Sequence, residues 1–335
     1  MKLTMDVLRI DPERETERIV STVRRQLSRI LRRRGAVLGL SGGIDSSVTA
    51  ALCVRAVGQD RVLGLLMPEG ESASETLELS MLVATQLGIE TVVEDITPLL
   101  DASGAYRRRD DALRSVVPEY GDGWLFKLVL PSLLDGERYR LFSAIVQAPD
   151  GKQRRVRLPP EAYLGIVAAT NFKQRCRKML EYYHADRLHY AVAGTPNRLE
   201  YDQGFFVKNG DGAADLKPIA HLYKSQVYDL AEHLGVPEEI RRRPPTTDTY
   251  SLAQSQEEFY FSLPYREMDL CLWARNNDVP AEQVAEAVGL RAEQVERVFR
   301  DIDTKRSTTR YAHLPPLLVT EVEGLELLPE QVRIG

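Results

Sequence analysis

The stretch Ala36-Val37-Leu38-Gly39-Leu40-Ser41-Gly42-Gly43-Ile44-Asp45-Ser46-Ser47 decides the fold. Ala36 to Leu40 is a short apolar run with a β-branched residue, the pattern of a buried strand. Gly42 and Gly43 allow a sharp turn, and Asp45 to Val57 reads as the helix that follows. Strand, glycine turn and helix in that order make an anion site. The free amides and the dipole at the helix start favour negative charge, and Ser41, Ser46 and Ser47 add hydroxyl donors. Asp45 would repel a phosphate unless a divalent cation lay between them. The lysine of GxxxxGK[ST] is missing, so this is a phosphate loop of another kind. A bare Gly-Gly turn capped by Asp and Ser is the plain alternative, and the apolar strand directly upstream weighs against it.

The alternation continues on both sides. Pro12 to Arg34 puts Ile19, Val23, Leu27, Ile30 and Leu31 on one helix face. Arg61 to Met67 reads as a strand, Ser74 to Leu87 as a helix stopped by Gly88, and Thr91 to Ile96 as a strand. A strand at Tyr190 to Ala193 follows a helix from about Glu161 to Tyr183, and another helix spans Tyr223 to Leu234. This order predicts an α/β fold with a doubly wound, mostly parallel sheet flanked by helices. Residues of about 104–160 differ in character. Arg138 to Gln147 and Gln153 to Leu158 are rich in β-formers around the turn Pro149-Asp150-Gly151, which predicts an inserted β-hairpin. A helical region follows over about 246–335, with helices at Arg266 to Ala274, Pro280 to Val288 and Ala292 to Asp301. Residues 1–335 read as one domain.

The 335 residues are 43% hydrophobic and 28% charged, enough to bury a full core. The net charge of -5 lacks the global basic footprint of a nucleic-acid binder. Cys53, Cys176 and Cys271 form no CxxC pair, which argues against a disulfide framework or a zinc site and fits a reducing cytoplasm. No apolar run approaches the roughly 20 residues that cross a bilayer, and no signal peptide is recognisable at Met1 to Pro12.

The loop Ser41 to Ser47 resembles the pyrophosphate loop of the ATP pyrophosphatases with the adenine-nucleotide α-hydrolase-like, Rossmann-like fold. Other segments single out the NAD synthetases among them. Asn171-Phe172-Lys173-Gln174-Arg175 resembles their NxKxR segment, and Gly194-Thr195-Pro196-Asn197-Arg198-Leu199-Glu200 their GT-N-x-x-E segment. Gly204 to Ile219 is similar to GYxTKxGDGxxDxxPI, and Leu222 to Val227 follows in the family's order. Pro245-Thr246-Thr247-Asp248 looks like P-[ST]-A-D, Tyr265 to Asp269 like YxExD, and Lys305-Arg306 falls where a late basic pair is kept.

The resemblance implies an ammonia-dependent ligase without a glutaminase domain. A nicotinate carboxylate is adenylated by ATP, pyrophosphate leaves, and ammonia displaces AMP. Asp45 and Glu200 are the implied Mg2+ ligands. Gly39, Ser41, Gly42, Gly43, Asp45, Ser46, Ser47, Thr195, Lys208, Lys224 and Thr246 are the implied ATP contacts, with Asp45, Lys208, Asp211, Lys224 and Thr246 catalytic. Asp211 is the acid at the ammonia site; an Asp within Gly-Asp-Gly is equally a good turn former. Asn171, Lys173, Arg175, Asp215 and Lys305 are implied for nicotinic acid adenine dinucleotide, at the interface of a homodimer. Ammonia is taken free or from a separate supplying protein; no nucleic acid or membrane is expected. The long insert and the ending Thr247-Asp248-Thr249-Tyr250 depart from the family's pattern, and leave open a different carboxylate under the same chemistry. A tRNA-modifying relative would want paired cysteines and a basic surface. A regulator that only binds nucleotide would not need Asp45, Glu200, Lys208, Asp211 and Lys224 together.

Overall fold

The computed structural model describes residues 3–71, 74–130, 142–244, 249–320 and 322–323. Helix α1, Pro12–Arg25, starts where Asp11 accepts from the amides of Glu13 and Arg14 and proline fills the first turn. A π-helical turn, Gln26–Ile30, carries it on. Strand β1 is Ala36–Gly39, helix α2 Ile44–Val57, β2 Val62–Leu66, α3 Ser74–Leu87 and β3 Glu90–Val93. Helices α4, Thr97–Ala102, and α5, Ala105–Arg114, lead to β4, Leu125–Val129, β5, Ser143–Gln147, and β6, Gln153–Arg157. The long helix α6, Pro160–Leu188, returns the chain to the main sheet at β7, Ala191–Val192. Then come α7, Arg198–Gln203, α8, Lys224–His233, and α9, Glu238–Arg242. Helices α10, Tyr265–Asn276, α11, Ala281–Val288, and α12, Ala292–His313, complete the helical C-terminal region.

The main sheet has the order β3-β2-β1-β7, and every pair in it is parallel. The two-residue period of a strand divides its side chains between two faces. Ala36 and Leu38 join the core with α1, α2 and α8, while Val37 of the same strand joins the core with α4 and α6. In β2, Val62 and Leu66 take the first face and Leu63 and Leu65 the second. Both faces are therefore covered, which is why these strands read as unbroken apolar runs. The chain leaves β1 toward β2 on one side, and β7 lies on the other. A reversal of that kind opens a crevice at the C-terminal ends of the strands.

The insert is larger than a hairpin. Strands β5 and β6 pair antiparallel as the turn at Pro149 to Gly151 predicts, and β4 joins them in a three-stranded antiparallel sheet. Phe126, Leu128, Ala144 and Val146 pack from this sheet against Ile166 of α6. Of the strand expected over Arg138 to Gln147, residues 138–141 lie outside the described residues.

Candidate active site

The loop after β1 turns at Gly42, whose φ is +65°, a backbone conformation that side chains disfavour. A Cβ at Gly42 would stand 2.8 Å from Leu79 Cβ and 2.9 Å from the Thr76 carbonyl oxygen. Gly39, the last residue of β1, likewise leaves room for Met67 Cε and Glu181 Oε1, which would lie 3.1 and 3.3 Å from a Cβ there. Helix α2 then begins at Gly43 with no side-chain cap. The serines do not serve as one. Ser46 and Ser47 donate back to the Gly43 carbonyl at 3.0 and 2.8 Å, and Ser46 Oγ accepts from the Ser41 amide at 3.3 Å. The loop is tied to itself, and no side chain caps the first-turn amides, which leaves them to an anion.

Across this mouth stands the segment after β7. Asn197 and Glu200 form a capping box at the start of α7. The Glu200 amide donates to Asn197 Oδ1 at 3.3 Å, and the Asn197 amide donates to Glu200 Oε2 at 3.0 Å. Asn197 is buried, and its Nδ2 donates to Asp45 Oδ1 at 3.1 Å and to Glu200 Oε2 at 3.0 Å. One amide thus holds the two carboxylates facing each other. Gln256 donates to the other Glu200 oxygen at 3.0 Å. Burial and the nearby charge of Asp45 push the Glu200 carboxyl up to about 8.

Lys224 opens α8, is only 2% exposed and forms an ion pair with Asp45. Burial disfavours its charge, yet Asp45 and Glu200 outweigh that and raise it above the ordinary lysine value. A cavity of about 170 Å3 is lined by Ser41, Gly43, Asp45, Ser46, Thr195, Glu200 and Lys224, with Thr76, Arg243 and Gln256. That is room for a phosphate chain beside the loop.

The structure therefore gathers the loop, Asp45, Thr195, Glu200 and Lys224 around one cavity. Lys208 lies elsewhere, donating to the Tyr311 carbonyl at 2.7 Å with its charge 5.4 Å from that ring. Asp211 Oδ1 accepts from the Val207 amide at 2.8 Å, so it closes its own loop; burial pushes its carboxyl up. Thr246 lies outside the described residues. Among the residues expected at the dinucleotide, Asn171 and Arg175 sit on α6, where Arg175 donates to the Lys208 carbonyl at 3.3 Å. Asp215 accepts from the Val192 amide at 2.7 Å and so pins β7. Lys173 is buried. It pairs with Glu69 at 2.7 Å and Glu71 at 2.8 Å and donates to the Thr249 carbonyl at 3.1 Å. Lys305, also buried, pairs with Asp301 at 2.6 Å and donates to the Tyr260 carbonyl at 2.7 Å. Both ammonium groups are engaged inside the fold. Sequence reasoning places Asn197 within a motif without giving it a role, and passes over Gln256. A buried asparagine three residues before an acid carries a signal, the capping box; Gln256 carries none, because its partner lies 56 residues away.

Two acids facing each other across one donor suit a hard divalent cation, which takes one or two carboxylates and completes its shell with phosphate oxygens and water. Among the described residues no group of three or more His, Cys, Asp or Glu could hold a metal.

A sequence profile described as NAD synthase matches residues 15–116 and 156–311. The interruption falls on the three-stranded insert. The chain is 64% identical over 321 residues to the NH(3)-dependent NAD(+) synthetase of Rhizobium meliloti (strain 1021), covering 96% of each. It is 36% identical over 293 residues to the protein of the same name from Thermotoga neapolitana, covering 85% of this chain and 94% of that one. Among solved structures it resembles the NH3-dependent NAD synthetase of Campylobacter jejuni in fold. The TM-score is 0.61 at 22% identity, with 93% of this chain and 100% of that one covered.

Proposed function

The chain belongs to the NAD synthase family, and from that premise we propose that it makes NAD from nicotinic acid adenine dinucleotide, ATP and ammonia. The observation that carries the reading is the uncapped start of α2 beside Asp45, Glu200 and Lys224, in one cavity sized for a phosphate chain. The first-turn amides and the Ser41 hydroxyl cradle the β- and γ-phosphates. A carboxylate oxygen of the dinucleotide attacks the α-phosphorus, the bond to the bridging oxygen breaks, and pyrophosphate leaves. Lys224, fixed by its buried ion pair, stabilises charge growing on that leaving group. Such preorganised groups lower a barrier because they need no reorganisation during reaction. Ammonia nitrogen then attacks the acyl carbon, AMP departs, and the extra proton passes to a base. Asp211, with its carboxyl held up by burial, is the proposed acceptor.

Asp45 and Glu200 would hold a magnesium ion, which when bound supplies charge neutralisation at the phosphates. Thr195 and Thr246 are proposed hydroxyl contacts of ATP, and Lys208 a contact of the dinucleotide phosphates or of ATP once the Tyr311 carbonyl releases it. Asn171, Arg175 and Asp215 remain the proposed dinucleotide contacts, and Lys173 and Lys305 reach it only if their present pairs open.

A homodimer is part of the proposal. Leu164, Met179 and Tyr183 of α6 are 62%, 55% and 60% exposed, large apolar side chains that a second copy would cover. No helix of the described residues is long and apolar enough to cross a membrane. The protein is proposed to work in the cytoplasm on free ammonia or ammonia from a separate protein. The test is an assay with ATP, magnesium, ammonium and the acid dinucleotide. Stoichiometric amide, AMP and pyrophosphate support the reading; AMP release only with another acid overturns it.

A further inference from the structure

We infer that Asp269, in the C-terminal helical region, is a positioning residue for Lys224. Its carboxylate accepts from the Lys224 amide at 3.1 Å through Oδ1 and from the Ser225 amide at 2.7 Å through Oδ2. Both oxygens are thus spent on the first turn of α8, from a residue 45 positions away. Helix starts are satisfied in most cases by a nearby side chain, and a single local acceptor is enough for stability. A remote, fully buried carboxylate is a costly way to do the same thing, since charge disfavours burial. The arrangement does more than cap: it fixes where the helix begins.

The geometry around Asp269 is rigid. Met268, Leu270, Cys271 and Leu272, its neighbours on α10, are all fully buried in the core of the C-terminal helical region with Val295, Val298 and Ile302 of α12. Packed side chains of this kind do not slide by fractions of an ångström at low cost. Asp269 therefore transmits the position of the helical layer to the amide of Lys224. From there the side chain reaches Asp45, with Glu200 beside it. The helical layer works on the phosphate site through this contact, without touching substrate. The inference rests on Lys224 acting at the leaving phosphate.

Asp269→Asn keeps the shape but turns a donor toward one of the two amides. The expected loss is in kcat for pyrophosphate release, about 10- to 100-fold, as for misplacement of a reacting group by a fraction of an ångström to an ångström. KM for ATP should change far less. The decisive measurement is a double-mutant cycle. If Asp269 acts through Lys224, Lys224→Met with Asp269→Asn should be no slower than Lys224→Met alone. Val146→Ala, which loosens the separate core of the three-stranded insert, should lower the melting temperature and keep kcat. Wild-type kcat in Asp269→Asn overturns the proposal. So do multiplicative losses in the double variant, or an equal kcat loss in Val146→Ala. Should the asparagine variant fail to fold, Asp269→Ser, with one short acceptor, enters the same cycle and is judged by the same outcomes. Lys224→Met with full activity would instead sink the assigned role of Lys224, which separates the two failures.

Discussion

Replacing Lys224 by methionine keeps the length of the stem and removes the charge. In the native protein that charge sits 2% exposed, paired with Asp45 and raised by Asp45 and Glu200 together. Removing one partner of a buried pair strands the other charge and costs about 3–5 kcal/mol. Asp45 is the charge stranded in this case, since the Glu200 carboxyl, raised to about 8, holds its proton at neutral pH, and a loss within that range is expected in metal-free buffer. A divalent cation between the same two acids supplies what the lysine lost. At 100 times its dissociation constant a ligand stabilises by about 2.7 kcal/mol. The melting temperature of Lys224→Met should therefore fall well below that of the parent in chelator and recover a large part of the gap in magnesium. Catalysis should not recover. The loss of a preorganised charge-stabilising group costs about 10²–10³-fold in kcat, read as pyrophosphate release at saturating ATP. Two results would refute the reasoning: pyrophosphate release close to the parent's, or a melting deficit that magnesium leaves unchanged.

Gly42→Ala forces a methyl group to 2.8 Å from Leu79 Cβ and onto a positive φ. It should destabilise by about 1–3 kcal/mol and weaken ATP binding in calorimetry; an unchanged melting curve would contradict the loop geometry. Lys173→Met removes the buried cation shared by Glu69 and Glu71 while Arg109 stays on Glu71 and Tyr106 on Glu69, so chemical denaturation should show a loss of about 3 kcal/mol, the low end for a broken buried pair. A variant of full stability with a raised KM for the dinucleotide would return Lys173 to the substrate. The Glu200 carboxyl is raised from 4.5 to about 8 in the folded chain. The resulting stability is fully present below the unfolded value, where both states hold the proton, and is lost as pH rises to the folded value, because in between only the folded state binds it. Metal-free protein should thus lose melting temperature from about pH 5 to 8. Glu200→Gln should flatten the slope, and a slope unchanged by that substitution would mean that a group other than Glu200 drives it.

The main sheet and its phosphate loop are legible because each is coded locally. An apolar run, two glycines and a helix with small residues occupy neighbouring positions, and periodicity reports them. Strand β4 is not so legible, because Leu125 to Val129 is a short apolar run that reads equally as buried helix or loop. Only pairing with β5 decides it. Helix α12 runs on to His313, although Thr304, Ser307, Thr308 and Thr309 are poor helix formers. Arg306 holds it to α7 through Asp202 at 2.8 Å. Long-range partners hide the rest. Nothing in Asn171-Phe172-Lys173 announces that Lys173 meets two acids about a hundred positions earlier. Nor does the YxExD pattern announce that its last residue holds the amide of Lys224.

The chemistry assigned to this site depends on where the triphosphate of ATP lies. A crystal structure with ATP and magnesium is the direct test. The β- and γ-phosphates should accept from the amides that open α2, with the metal between Asp45 and Glu200 and Lys224 turned from Asp45 toward phosphate oxygen. Phosphates bound away from Ser41 to Ser47, with Lys224 still paired to Asp45, would contradict it.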